Sequence, residues 1–174
     1  MPATRALREV GSVDQAVWSL STAKPGNGVE QLRDGDLETY WQSDGPQPHK
    51  INIQFHRKTR VSMVEIYTDF KKDESYTPAS VSVRAGTNFH DNHEVHSQEL
   101  SEPGGWVKLP VAAGNDCGFL RTYFIQIAVL SCHQNGRDTH IRQIRVFSPA
   151  DPVTRGEQLP TFSTAEFAQH ATIR

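Results

Sequence analysis

Apolar and polar positions alternate with a period of two through the middle of the chain. Ile51, Ile53 and Phe55 take turns with Asn52 and Gln54, and Val81, Val83 and Ala85 with Ser82 and Arg84. Successive side chains on a strand point to opposite faces, so each run predicts a strand with one dry and one wet face. Residues 61–70 make a longer β-like run of branched and aromatic residues, and Val107 and Leu109 beside Trp106 mark a short strand opened by "EPGG". Two further strands are expected over 123–130 and 141–147. "SDGPQP", "SYTP", "AGTN", "EPGG" and "AAGND" punctuate these runs with turn chemistry.

Helix signals are few. "VEQLRD" near residue 29 predicts a turn or two, and Ser163 with Glu166 has the spacing of a capping box ahead of "AEFAQHA". Short strands divided by turns predict an all-β fold, an antiparallel β-sandwich or jelly roll with short helices at its flanks. Residues 1–12 lack a periodic pattern and are expected to be an N-terminal arm. Residues 13–148 are the expected domain, and 149–174, opening on a Pro-rich polar stretch, the expected C-terminal tail.

Composition narrows the function classes. The 174 residues are one domain's worth, and a formal charge of −2 argues against a partner held by a basic face, such as nucleic acid or a membrane surface. Cys117 and Cys132 alone make neither a disulfide framework nor a zinc site and are read as two free thiols. The first twelve residues hold no apolar core of a signal peptide, and no apolar run approaches the roughly 18 residues of a membrane span. A soluble, intracellular protein is expected.

Candidate chemistry is sparse. His90, His93 and His96 in "NFHDNHEVHSQ" miss the i, i+4 spacing of a helical zinc motif, so this stretch is read as a solvated loop without metal. No nucleophile elbow, phosphate loop or activated cysteine is present, and an enzyme is not expected. The stretch that stands out is His133, Gln134, Asn135, Gly136, Arg137, Asp138, Thr139 and His140, eight residues without an apolar side chain between two strands. Its amides, carboxylate and guanidinium suit recognition of a peptide or sugar, and Gly136 would let backbone come close. The same composition fits a plain solvated connection. A second polar cluster follows Trp41, itself read as a core anchor, and contains Ser43 and Asp44. Connections at one end of a jelly roll converge, so the two clusters are expected on one rim.

The stretches "AVWSLSTAKPGNGVEQLRDGDLETYWQSDGPQPHKINIQF", "DESYTPASVSVRAG" and "IAVLSCHQNGRDTHIRQIRV" resemble the Doc-homology subunit family of the anaphase-promoting complex, from about Arg8 to Arg174. The resemblance implies a galactose-binding-like jelly roll and a non-catalytic role, without cofactor or metal, in a multisubunit ubiquitin ligase. It implies that residues 133–140 hold destruction-box substrates together with a WD40 coactivator. It also implies that Ile173 and Arg174 dock on a tetratricopeptide-repeat subunit beside scaffold subunits, in nucleus and cytoplasm. The alternative is a carbohydrate-binding module, against which stands the lack of an aromatic in 133–140; a metal-dependent hydrolase ranks third.

Overall fold

The computed structural model describes residues 6–150. Ser163, Glu166, Ile173 and Arg174 lie outside the described residues, as does the expected C-terminal helix. In chain order the strands are β1 (Leu7–Val10), β2 (Ala16–Leu20), β3 (Trp41–Gln42), β4 (His49–Val61), β5 (Met63–Asp69), β6 (Pro78–Gly86), β7 (Asn92–Glu99), β8 (Gly104–Pro110), β9 (Leu120–Cys132), β10 (His140–Ile141) and β11 (Gln143–Pro149). Among the described residues two short helices, α1 (Val29–Arg33) and α2 (Phe70–Asp73), sit between strands, and 3-10 turns cover Glu74–Tyr76 and His133–Asn135.

The strands make an antiparallel sandwich. One sheet runs β1-β11-β5-β8, the other β2-β4-β9-β6-β7, and β3 with β10 form a small ladder of their own. The period-two pattern supplies the core. Ile51 and Ile53 on β4, Val81 and Val83 on β6, and Ile125, Ile127 and Val129 on β9 are buried on the inner face of the five-stranded sheet. They oppose Val64 and Ile66 on β5, Leu109 on β8 and Ile144 and Val146 on β11. A one-residue slip in any of these strands would turn its apolar set to water, so the register is tightly specified. Trp41 is fully buried, as expected, with its indole N–H donating to the Thr22 carbonyl at 2.9 Å.

Three expectations need correction. The 1–12 arm is not wholly an arm, because Leu7–Val10 pairs with β11 as an edge strand. The "NFHDNHEVHSQ" stretch is not a loop throughout, because β7 occupies Asn92–Glu99 at the opposite sheet's edge. An edge strand can be polar on both faces, which removes the alternation that would reveal it. The expected 141–147 strand is two strands broken at Arg142, whose backbone N–H leaves the ladder to bond the Tyr67 carbonyl at 3.0 Å.

Candidate functional site

The polar stretch after β9 is no ordinary hairpin loop. It leaves the five-stranded sheet at Cys132 and returns through β10 to β11 in the other sheet, so it caps one end of the sandwich. β10 pairs with β3 through His140↔Gln42 and Ile141↔Trp41. One step further, the Ser43 N–H donates to the Thr139 carbonyl at 3.2 Å and the Thr139 N–H donates to Ser43 Oγ at 2.9 Å. The two polar clusters therefore do share one rim.

More braces follow. Gln47 Nε2 donates to the Gly136 carbonyl at 3.1 Å, and His49 Nε2 lies 2.7 Å from the Arg137 carbonyl. A carbonyl only accepts, so His49 carries its proton on Nε2 and leaves a buried, unpartnered Nδ1 among the described residues. From a third connection, the Thr77 carbonyl accepts the His133 N–H at 2.9 Å, and the Tyr76 carbonyl accepts Thr139 Oγ1 at 3.3 Å. Gly136 does allow a close approach, but to the chain's own backbone. A Cβ there would stand 1.8 Å from the Ser75 carbonyl oxygen.

Beneath the rim lies a buried ionic cluster. The His140 ring is stacked between Tyr40 and Tyr76, each with its centroid 4.2 Å away. His140 Nδ1 sits 3.2 Å from Asp73 Oδ1, while Arg142 donates to both carboxylate oxygens of Asp73, Nε at 2.9 Å and Nη2 at 2.7 Å. Arg142 Nη1 also donates to the Leu37 and Glu38 carbonyls. One guanidinium thus ties the 37–38 turn, α2 and β10 together. Burial alone would raise the Asp73 pKa, but hydrogen bonds from His140 and Arg142 and the charge of Arg142 bring it below the usual carboxylate range. Hydrogen bonding to Asp73 holds Arg142 more firmly charged against its own burial. Burial raises the pKa of the Cys132 thiol, which stays protonated and poorly nucleophilic.

The expected site residues therefore divide into two groups. Ser43, Thr139 and His140 are buried and hold the rim together. Asp44, Gln134, Asn135 and Arg137 are exposed, and His133, Gly136 and Asp138 are partly buried. Among the described residues, the side chains of Gln134, Asn135, Arg137 and Asp138 have no hydrogen-bond or ion-pair partner. Gln134 (φ 53°) and Asn135 (φ 54°) are consecutive left-handed residues, a conformation that costs non-glycine residues and tends to persist at functional sites. Sequence reasoning missed Tyr40, Gln47, His49, Asp73, Tyr76 and Arg142. Asp73 and Arg142 are 69 positions apart, and no spacing rule links them.

Comparison with known proteins gives a consistent result. A profile of the family described as "Anaphase-promoting complex, subunit 10 (APC10)" matches residues 2–172. The chain is 54% identical to anaphase-promoting complex subunit 10 of Drosophila melanogaster over 97% of this chain and 85% of that one. The Homo sapiens subunit 10 is also 54% identical, over 98% of this chain and 90% of that one. Anaphase-promoting complex subunit DOC1 of Saccharomyces cerevisiae is 34% identical over 93% of this chain and 62% of that one. Among solved structures, the family 32 carbohydrate-binding module of Clostridium perfringens NanJ with galactose superposes with a TM-score of 0.67. It is 12% identical, and the match covers 82% of this chain and all of that one. The corresponding module of AlyQ gives 0.63 at 18% identity over 80% of this chain and 98% of that one. At those identities the likeness establishes the galactose-binding-like jelly-roll fold and nothing about ligand.

Proposed function

Because the chain belongs to the anaphase-promoting complex subunit 10 family, we propose that it is a non-catalytic subunit of that ubiquitin ligase and a receptor for its substrates. In this reading the 133–140 rim holds a destruction box together with a WD40 coactivator and so raises the processivity of ubiquitination. One observation carries it: Gln134, Asn135, Arg137 and Asp138 present unpartnered donors and acceptors from a backbone braced by the 43–49 and 74–77 connections. A loop already ordered loses little entropy on binding, so even a few polar contacts discriminate between peptides. So small a face falls short of the roughly 1,200 Å² of a stable interface, and the isolated domain should bind weakly. A coactivator holding the same peptide makes the second contact intramolecular, worth about 10²–10⁴ in joint affinity. Docking of Ile173 and Arg174 on a tetratricopeptide-repeat subunit, contacts with scaffold subunits, and residence in nucleus and cytoplasm belong to the same proposal.

The test is a full-chain variant with Gln134, Asn135, Arg137 and Asp138 replaced by Ala. Changes at exposed loop positions usually stay within about 0.5 kcal/mol, and the partly buried Asp138 has no side-chain hydrogen bond to lose among the described residues, so it should fold and assemble normally. Fewer ubiquitins should then be added per encounter. Normal processivity at wild-type occupancy would remove the rim from substrate binding. A second reading, a carbohydrate-binding module, draws on Tyr76, a residue 39% exposed beside a rim that carries no Trp, Tyr or Phe of its own. A glycan array with wild type and Tyr76→Ala separates the two, since sugar stacking would be lost with the ring.

A further inference from the structure

A second concave surface, remote in sequence from the rim, has a charge character opposite to that of the whole chain. A cleft of about 510 Å³ opens between β1 of one sheet and β4 of the other. Its lining includes Arg8, Arg57, Lys58 and Arg60, with Asp14 as the sole carboxylate among the described residues, in a chain of formal charge −2. The volume falls in the range of about 300–1,000 Å³ usual for ligand clefts. β4 breaks register with β9 between Gln54 and Thr59, and exposed His56, Arg57 and Lys58 sit in that break. Arg8 is exposed on β1 across the cleft. Among the described residues, Arg8, Arg57 and Lys58 form no ion pair. Arg60 is engaged elsewhere, its guanidinium 5.6 Å from the centroid of the Phe119 ring.

Basic side chains often guard a strand edge against stray pairing. That role asks for a charge on one strand, not for cations from two sheets converging on one hollow. We propose that Arg8, Arg57 and Lys58 form a docking cleft for a Glu- and Asp-rich segment of a partner protein. The convergence of cations favours an anion, and guanidinium forks suit carboxylates. Among the described residues no Trp, Tyr or Phe lines the cleft, so these offer no stacking platform of the kind single-stranded nucleic acid uses. This surface requires nothing of the 133–140 rim, and its failure would leave the substrate-receptor reading untouched.

The experiment titrates the full-length chain with a fluorescent hexaglutamate peptide, blocked at both ends. Binding should weaken at least about tenfold between about 50 mM and about 300 mM salt, as screening removes an exposed electrostatic contact. The Arg57→Glu/Lys58→Glu variant should lose at least about tenfold at low salt, whereas Lys108→Glu, an exposed reversal on β8, should bind as wild type. Arg57→Ala/Lys58→Ala, a milder change with melting checked alongside, should fall between them. Equal binding by wild type and the double reversal would overturn the proposal, as would no binding by wild type. Tighter binding of a thymidine hexanucleotide than of the peptide would assign the cleft to nucleic acid instead. Asp151→Asn/Glu157→Gln/Glu166→Gln tightening the peptide at least about tenfold would make the chain's own carboxylates the occupant and refute a partner.

Discussion

Replacing Asp73 by Asn probes how the rim is held. The side chains of Asp73 and Arg142 are 3% and 5% exposed, and the carboxylate accepts from His140 Nδ1, Arg142 Nε and Arg142 Nη2. An amide has nearly the same shape, but its NH2 confronts a guanidinium or an imidazole N–H, donor against donor. Arg142 keeps its charge and loses its counter-ion in a buried place. Breaking a buried pair from one side costs about 3–5 kcal/mol. For a chain of this length each kcal/mol lowers Tm by about 2–4 °C, so the variant should melt roughly 6–20 °C below wild type near neutral pH. The pH dependence follows from the lowered pKa of Asp73. A group depressed on folding stabilises above its unfolded value, near about 3.9, and that contribution fades as pH falls through the folded value. The gap between wild type and Asp73→Asn should therefore be full above about pH 5 and close progressively below about pH 4. Thermal melts followed by circular dichroism across that range measure both. A variant melting within about 2 °C of wild type, or a gap unchanged at the lowest pH, would refute the assignment of the cluster as the fastening of the rim. Arg142→Met placed on top of Asp73→Asn should restore part of the loss, because an apolar side chain leaves no unpaired charge.

Gly136→Ala places a methyl group against the Ser75 carbonyl and should shift the rim, costing about 1–3 kcal/mol in urea unfolding and lowering substrate processivity; a variant with wild-type stability would show that the loop yields freely. Trp41→Ala empties the largest fully buried site and should cost about 3–5 kcal/mol by the same measurement. Deleting Ile173 and Arg174 should weaken pull-down of a tetratricopeptide-repeat ligase subunit without moving the Tm of the isolated chain, and an unchanged pull-down would separate these residues from assembly.

Local alternation determined the strands that carry the core. Ile51, Ile53 and Phe55, or Val81 and Val83, must turn one way once the backbone is extended, and burial of that face selects the sheet. Trp41 was legible as core because so large an apolar ring is more often an anchor than a ligand platform, and the 133–140 stretch was legible as the chemistry-bearing connection because polar residues cluster there without an apolar anchor. Strands with no dry face or with an interruption were not. β1 and β7 are edges whose residues meet water on several sides, and at the break Arg142 turns its backbone N–H to the Tyr67 carbonyl and its side chain to Asp73 of α2, partners remote in sequence. The division of the rim into exposed Gln134, Asn135 and Arg137 and buried Ser43, Thr139 and His140 was likewise decided in three dimensions. A hydroxyl or an imidazole reads the same in a sequence whether it faces solvent or its own backbone. Only the folding of β3 onto β10, and of α2 beneath them, surrounds His140 with two tyrosine rings and a carboxylate, while Gln134, Asn135 and Arg137 stay exposed.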